Sequence, residues 1–310
     1  MSSRKRIVLA LSLAWLVVST EPRAAGPQLD GKALLATIQT LASAEYGGRR
    51  TGSPGGLKAR AWVTDRFKTI GLAPLDGKYQ FPFTFMHNKV EYKDAANVVG
   101  LCKGRASAPE MLVVSAHYDH EGVREGVMYP GADDNASGVA VLLAIAEQCQ
   151  RDALKHDTLF VAFDAEEHGL QGAREFVAKP PVPKERLALN INLDMVSRSS
   201  KRELYAAGAY HWPATKPSLD AVAKRAAVKL LLGHDKPEKT SGVDDWTLQS
   251  DHGPFHRAGI PFVYFGVEDH RDYHKPTDTA DKIDPTFLRQ AAETILDAVI
   301  TLDAALPFGK

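Results

Sequence analysis

Along most of the chain, short continuous apolar runs alternate with stretches whose apolar residues recur at helical spacing. The continuous runs, bounded by turn residues, predict buried strands at 95–102, 111–116, 158–163, 187–196 and 261–267. The helical pattern predicts helices over 31–44, 55–70, 137–150, 218–228, 252–258 and 285–305. Strands spaced by helices imply an α/β fold with a largely parallel sheet covered on both faces. Residues 233–249, GHDKPEKTSGVDDWTLQ, read as a long loop, and long loops in compact domains are often functional.

Composition narrows the picture. Lys+Arg and Asp+Glu balance at 38 each, so no basic surplus points to nucleic acid or an anionic membrane surface. At the N-terminus, Arg4, Lys5 and Arg6 precede an apolar run over 7–18 that is too short to span a bilayer comfortably. Ala24 and Ala25 offer small residues for a signal peptidase. Residues 1–25 are therefore expected to be a signal peptide, leaving a mature chain of 26–310 without an integral membrane segment, periplasmic or secreted. In an oxidising compartment Cys102 and Cys149, the two cysteines, form either one disulfide or two separately buried thiols.

The chemistry collects at predicted strand ends, where open α/β sheets bind their ligands. FVAFDAEEHGLQG puts Glu166 and Glu167 just past a strand. Two adjacent carboxylates can divide labour, one facing a metal and the other the water the metal activates. His117-Tyr118-Asp119-His120 follows another strand, where extended geometry turns His117 and Asp119 to one side, so that Asp119 can hold the imidazole while it binds metal. GADDNASG leads into the helix at 137, where Asp133, Asp134 or Asn135 could equally be a cap. Asp194 closes an apolar strand, and an ionised side chain there is costly without a partner. Tyr273 and His274 follow the last strand. Together these offer two histidines and several carboxylates, a donor set zinc accepts.

In order and wording, AHYD, GADDNASG, DAEEHGLQG, NLDM, SDHGPF and YHKPTDT resemble the di-zinc aminopeptidases of the zinc exopeptidase superfamily, relatives of glutamate carboxypeptidases and glutaminyl cyclases. The resemblance covers residues 95–310. It implies a single three-layer domain over 26–310, with a twisted mixed, mostly parallel sheet of about eight strands flanked by helices. It also implies two zinc ions per chain: His117 and Asp194 on the first, Glu167 and His274 on the second, and Asp134 bridging both. Glu166 would be the general base and acid, Asp119 would orient His117, and Tyr273 would support the oxyanion. The peptide after Asp134 is often cis in that family.

The implied activity is removal of N-terminal residues from peptide substrates. Its rivals are a carboxypeptidase or dipeptidase, a glutaminyl cyclase-type reaction on the same fold, and a non-catalytic binding relative. For the side-chain pocket, Trp246, Phe255, Phe262 and Tyr264 suggest an apolar N-terminal residue, although core packing explains the last three equally well. Arg198 is expected on a solvated basic turn, with a role in binding a substrate carboxylate as the alternative. His120, His168 and His270 are expected at the surface or in hydrogen bonds, and His252 at a helix start beside the pocket.

Overall fold

The computed structural model describes residues 28–308; the expected signal peptide, 1–25, lies outside them. In chain order the elements are α1 (Gly31–Leu41), α2 (Pro54–Ile70), β1 (Gln80–His87), β2 (Val90–Cys102), β3 (Met111–His117), β4 (Gly122–Arg124), β5 (Val127–Tyr129), α3 (Gly138–Arg151), β6 (Asp157–Phe163), α4 (Gln171–Ala178) and β7 (Leu187–Leu193). They continue with β8 (Glu203–Ala207), α5 (Lys216–Ala223), β9 (Lys229–Leu232), α6 (Glu238–Ser241), α7 (His252–Arg257), β10 (Phe262–Gly266) and α8 (Pro285–Ala305).

Eight strands form one mixed sheet in the order β1-β2-β6-β3-β7-β10-β8-β9, while β4 and β5 form a separate hairpin. The middle four strands, β6-β3-β7-β10, run parallel, so their carboxyl ends share one edge. β3 and β6 are buried at every position, as expected of strands covered on both faces. Alternate residues feed two cores. Leu112, Val114, Phe160 and Ile191 pack with α1, α2, α3, α5 and α8. Val113, Leu159, Val161 and Phe163 pack with Phe176 of α4 and Phe255 of α7. The result is the three-layer α/β domain that the resemblance implies.

Several elements depart from the sequence reading. β1, β8, β9 and α4 were not foreseen. β1 carries Pro82 in the middle of its apolar run; it is an edge strand, where a missing N–H is tolerated. The helix expected over 218–228 ends at Ala223, and the apolar residues at 226–228 lie in the turn that leads into β9. The helix expected from 137 begins at Gly138, after an irregular π-type turn over Ala132–Ser137. Cys102 at the end of β2 and Cys149 in α3 form a disulfide with a Cα–Cα distance of 6.5 Å. Among the described residues, no helix is long and apolar enough to cross a membrane.

Candidate metal centre

His117 is the last residue of β3, Asp194 follows β7 directly, and Asp164 to Glu167 follow β6. His117 Nε2 lies 3.3 Å from Asp134 Oδ1 and 3.3 Å from Asp194 Oδ1. On the other side of Asp134, His274 Nε2 lies 3.1 Å from Oδ2 and 3.2 Å from Glu167 Oε2. Asp134 thus turns one oxygen toward each histidine. Tetrahedral zinc with bonds of about 2.0–2.1 Å separates its ligand atoms by about 3.3 Å, and these spacings match. Three groups have ligand atoms within 4.8 Å of one another: His117, Glu166 and Asp194; His120, Asp134 and Glu167; Glu121, Glu167 and His274. His120 Nδ1 is 2.7 Å from Glu167 Oε1 yet off the angle for a hydrogen bond. Both ring nitrogens of His120 and Oε1 of Glu167 have no hydrogen-bond partner among the described residues. Buried polar atoms without partners are costly, and a cation among them would satisfy the carboxylate oxygens. The donor set fits zinc.

The backbone beneath is tied down at each step. Fully buried Arg49 donates to the carbonyls of Leu41, Tyr118, Pro130 and Gly131 at 2.6–2.9 Å and of Asp134 at 3.4 Å. The Asp278 carboxylate accepts from the main-chain N–H of Asp133 and Asp134. Asn135 donates to Leu193 O and accepts from Gly138 N, linking this loop to the end of β7. Gly131 has φ 58°, and a Cβ there would sit 2.1 Å from Asp134 O and 2.5 Å from the His120 ring; only glycine lets the loop close. The Asp134–Asn135 peptide is cis. Four non-glycine residues at the site adopt left-handed backbone: Arg49, Ala165 before Glu166, Met195 after Asp194, and His274 itself. Each such residue costs about 1 kcal/mol or more, so tertiary contacts overrule local preference to aim these side chains.

Asp119 does more than face His117. Its carboxylate accepts from the N–H of Glu166 at 3.1 Å and of Glu167 at 3.4 Å. It lies 3.6 Å from His117 Nδ1, which is closer, at 3.2 Å, to the Asp119 carbonyl. Ser250 donates to Asp194 Oδ2 at 2.7 Å and accepts from Asn192, continuing a buried polar chain through Ser115 to Asn190. Asp133 points away from Asp134: its carboxylate takes the Ser197 N–H and hydroxyl and His270 Nε2.

The two adjacent glutamates titrate in opposite directions. Burial, with Asp194, Asp251 and Glu167 nearby, pushes the Glu166 carboxyl well above the usual range despite His117. Burial and Asp134 also push Glu167 upward, but His120 and His274 outweigh them and bring it to about 2. Burial works against the His274 imidazolium, yet Asp134 and Glu167 raise its pKa to about 10. Burial and the surrounding carboxylates hold the Tyr273 phenol far above its usual value, so it stays a proton donor. Its ring stacks on His274, with centroids 4.0 Å apart.

Some expectations are corrected here. His120 is not at the surface but fully buried within the cluster. His168 is buried against Phe85, His87 and Tyr92. Arg198 is not on a solvated turn: it is mostly buried, 2.8 Å from Asp272 and 3.6 Å from Asp278. Phe255 and Phe262 are fully buried core residues, whereas Trp246 and Tyr264 line a cavity of about 50 Å³ with Asp134, Glu166, Asp194 and Tyr273. Arg49 and Glu121 went unnoticed in the sequence, and Ser250 and Asp278, inside SDHGPF and YHKPTDT, were given no role. For Arg49 and Glu121, the neighbouring glycine-rich turn and the carboxylate after His120 were the available signals.

A mixed α/β sheet with histidines and carboxylates gathered at the carboxyl edge of its parallel strands is a setting of the kind metallopeptidases use. Residues 97–299 match the model of Peptidase family M28, and the chain belongs to that family. Aminopeptidase YwaD of Bacillus subtilis (strain 168) is 31% identical over 218 residues, 66% of this chain and 44% of that protein. The chain spans about half the length of the curated relatives it matches. Among solved structures, the zinc aminopeptidase BSAP from Bacillus subtilis aligns with a TM-score of 0.68 at 20% identity, over 87% of this chain and 95% of that one. Porphyromonas gingivalis glutaminyl cyclase aligns with a TM-score of 0.71 at 19% identity, over 89% and 99%. At these identities the likeness is one of fold.

Proposed function

We propose that this chain is an exported aminopeptidase that holds two zinc ions, with residues 1–25 as a signal peptide and 26–310 as its catalytic domain. His117 and Asp194 would hold one ion, Glu167 and His274 the other, and Asp134 would bridge them. The observation that carries this reading is the placement of Asp134, one oxygen at 3.3 Å from His117 and the other at 3.1 Å from His274. Bound zinc would supply Lewis-acid polarisation of the scissile carbonyl and acidify water. Glu166 accepts the proton of the attacking water and returns it to the leaving amine, a task suited to a carboxyl whose affinity for protons is raised. Asp119 fixes the main chain of the glutamate pair, and the Tyr273 phenol donates to the developing oxyanion.

Amino-end specificity is supported by what surrounds the site. Its carboxylates can pair with a free α-amino group, and an acetylated amine leaves them unpaired at a cost of about 1–3 kcal/mol or more. Arg198, the candidate for a substrate carboxylate, is engaged by Asp272 and Asp278. The test is zinc stoichiometry on purified protein together with turnover of free and acetylated aminoacyl anilides and of a glutaminyl peptide. Two zinc ions and cleavage of free anilides alone are expected. One ion or none, equal cleavage of acetylated substrates, or cyclisation of the glutaminyl peptide without hydrolysis would overturn the reading.

A further inference from the structure

We infer that the site selects small N-terminal residues, glycine, alanine or serine, over leucine or phenylalanine, and that Trp246 sets the limit. This rests on the aminopeptidase reading and names its substrate class. The cavity over the metal-type cluster is about 50 Å³. At about 10–15 Å³ per water that is room for about four, far below the several hundred Å³ usual for ligand pockets. Its floor is Asp134, Glu166, Asp194 and His274, where the reacting groups must sit; Trp246 and Tyr264 stand among the remaining lining. The space left for a side chain favours a methyl or hydroxymethyl group over the four carbons of leucine.

Trp246 does not yield by simple rotation. Its indole stacks on His234 with ring centres 3.6 Å apart and planes within 8°, and meets Tyr205 and Tyr264 edge-on at 5.5 and 5.7 Å. Its main-chain N–H donates to His234 O at 2.7 Å, and its carbonyl lies 2.8 Å from His252 Nε2. Trp246 as a whole is 7% exposed. His234 in turn lines a second cavity of about 490 Å³ with Tyr210, Leu232 and Val243. The indole thus lines the small pocket, and its stacking partner His234 lines the larger one.

The experiment measures kcat/KM of the zinc-loaded protein on glycyl, alanyl, seryl, leucyl and phenylalanyl anilides. Where one methylene changes hydrophobic-pocket discrimination by about 10–200-fold, alanine should exceed leucine by at least about tenfold. Trp246→Ala should shift the leucine-to-alanine ratio upward by at least about tenfold. Trp246→Phe, which retains a ring over His234, should shift it less and guards against loss of fold in the first variant; circular dichroism and zinc content are checked for both. Leucine equal to or better than alanine in the unaltered protein overturns the inference, as does an unmoved ratio in a folded variant. Failure to cleave any aminoacyl anilide would instead sink the aminopeptidase reading and this inference with it.

Discussion

His117 and Asp194 sit at the ends of β3 and β7, in neighbouring parallel strands of the sheet, and the His117 side chain is 1% exposed. His274 lies on the loop after β10, is 38% exposed and has φ 52°. The first position is dictated by the sheet itself. The second depends on loop contacts: Asp272 held by Arg198, Lys282 and Thr277, and the Tyr273 ring on His274. Trp246 belongs to the loop-built side as well. The sheet supplies a fixed half of the centre, and loops complete it and shape what enters. Chemistry is expected to be robust in the first region and tunable in the second.

The largest expected effect separates the two glutamates. Glu166→Gln should lower kcat by about a thousandfold while zinc content stays at the unaltered level. Glu167→Gln should also lose zinc, because Glu167 belongs to the loop-completed cluster. Near-normal turnover in Glu166→Gln, or full zinc in Glu167→Gln, would break the assignment of these neighbours to different tasks.

Arg49 serves both regions, since it gathers the carbonyls beneath Asp134 and that of Tyr118 beside His117. Arg49→Met leaves five carbonyls unserved in a buried site, and the expected loss is about 3 kcal/mol or more in urea unfolding of the metal-free protein. Arg49→Lys keeps the charge without the planar fork and should recover only part of it. A loss below about 1 kcal/mol would show that the loop holds its shape without the guanidinium.

The same division explains what the sequence disclosed. Strand-end residues were legible because continuous apolar runs mark buried strands, and a polar residue closing one stands out. His117, Glu166 and Asp194 all announce themselves in this way. His120 did not: nothing in HYDH distinguishes a histidine turned inward from one at the surface until Gly131 and Arg49 close the loop over it. Phe255 and Phe262 could not be divided between core and pocket, because core and pocket aromatics share the same pattern. β8 and β9 escaped because their short runs, ELYAA and KLLL, are too brief to separate from helix ends. Arg198 looked solvated because its partners, Asp272 and Asp278, lie more than seventy positions away.

On the loop-built side, His252 offers a pH handle on the wall that Trp246 forms. Burial lowers its pKa to about 3, and the hydrogen bond to Trp246 O only partly offsets this. Below pH 6.5 the unfolded chain protonates this imidazole while the folded one does not until about pH 3. The unfolded state therefore binds more protons in that window, and stability falls as pH drops through it. At pH 5 the contribution is about 2 kcal/mol. In His252→Phe the difference in unfolding free energy between pH 7 and pH 5 should shrink by about that amount. An unchanged difference would mean that His252 does not stay neutral when folded.

The smallest effect tests the comparison most directly. If the strand-built half is fixed in advance and the loop-built half must be held in place, the two proposed zinc ions should leave unequally. His117 is buried on rigid strand ends, and binding there orders little further chain. His274 is partly exposed, on a loop whose left-handed residue must be kept in position, and part of the binding free energy goes to that ordering. Titration with a chelator should release one zinc per chain about tenfold more readily than the other, a difference of about 1.4 kcal/mol. His274→Ala should abolish the weak step and retain the tight one, and Lys282→Ala, which loosens Asp272, should weaken the first step without touching the second. Release of both ions in a single step, or loss of the tight ion in His274→Ala, would show that the centre behaves as one unit despite its two origins.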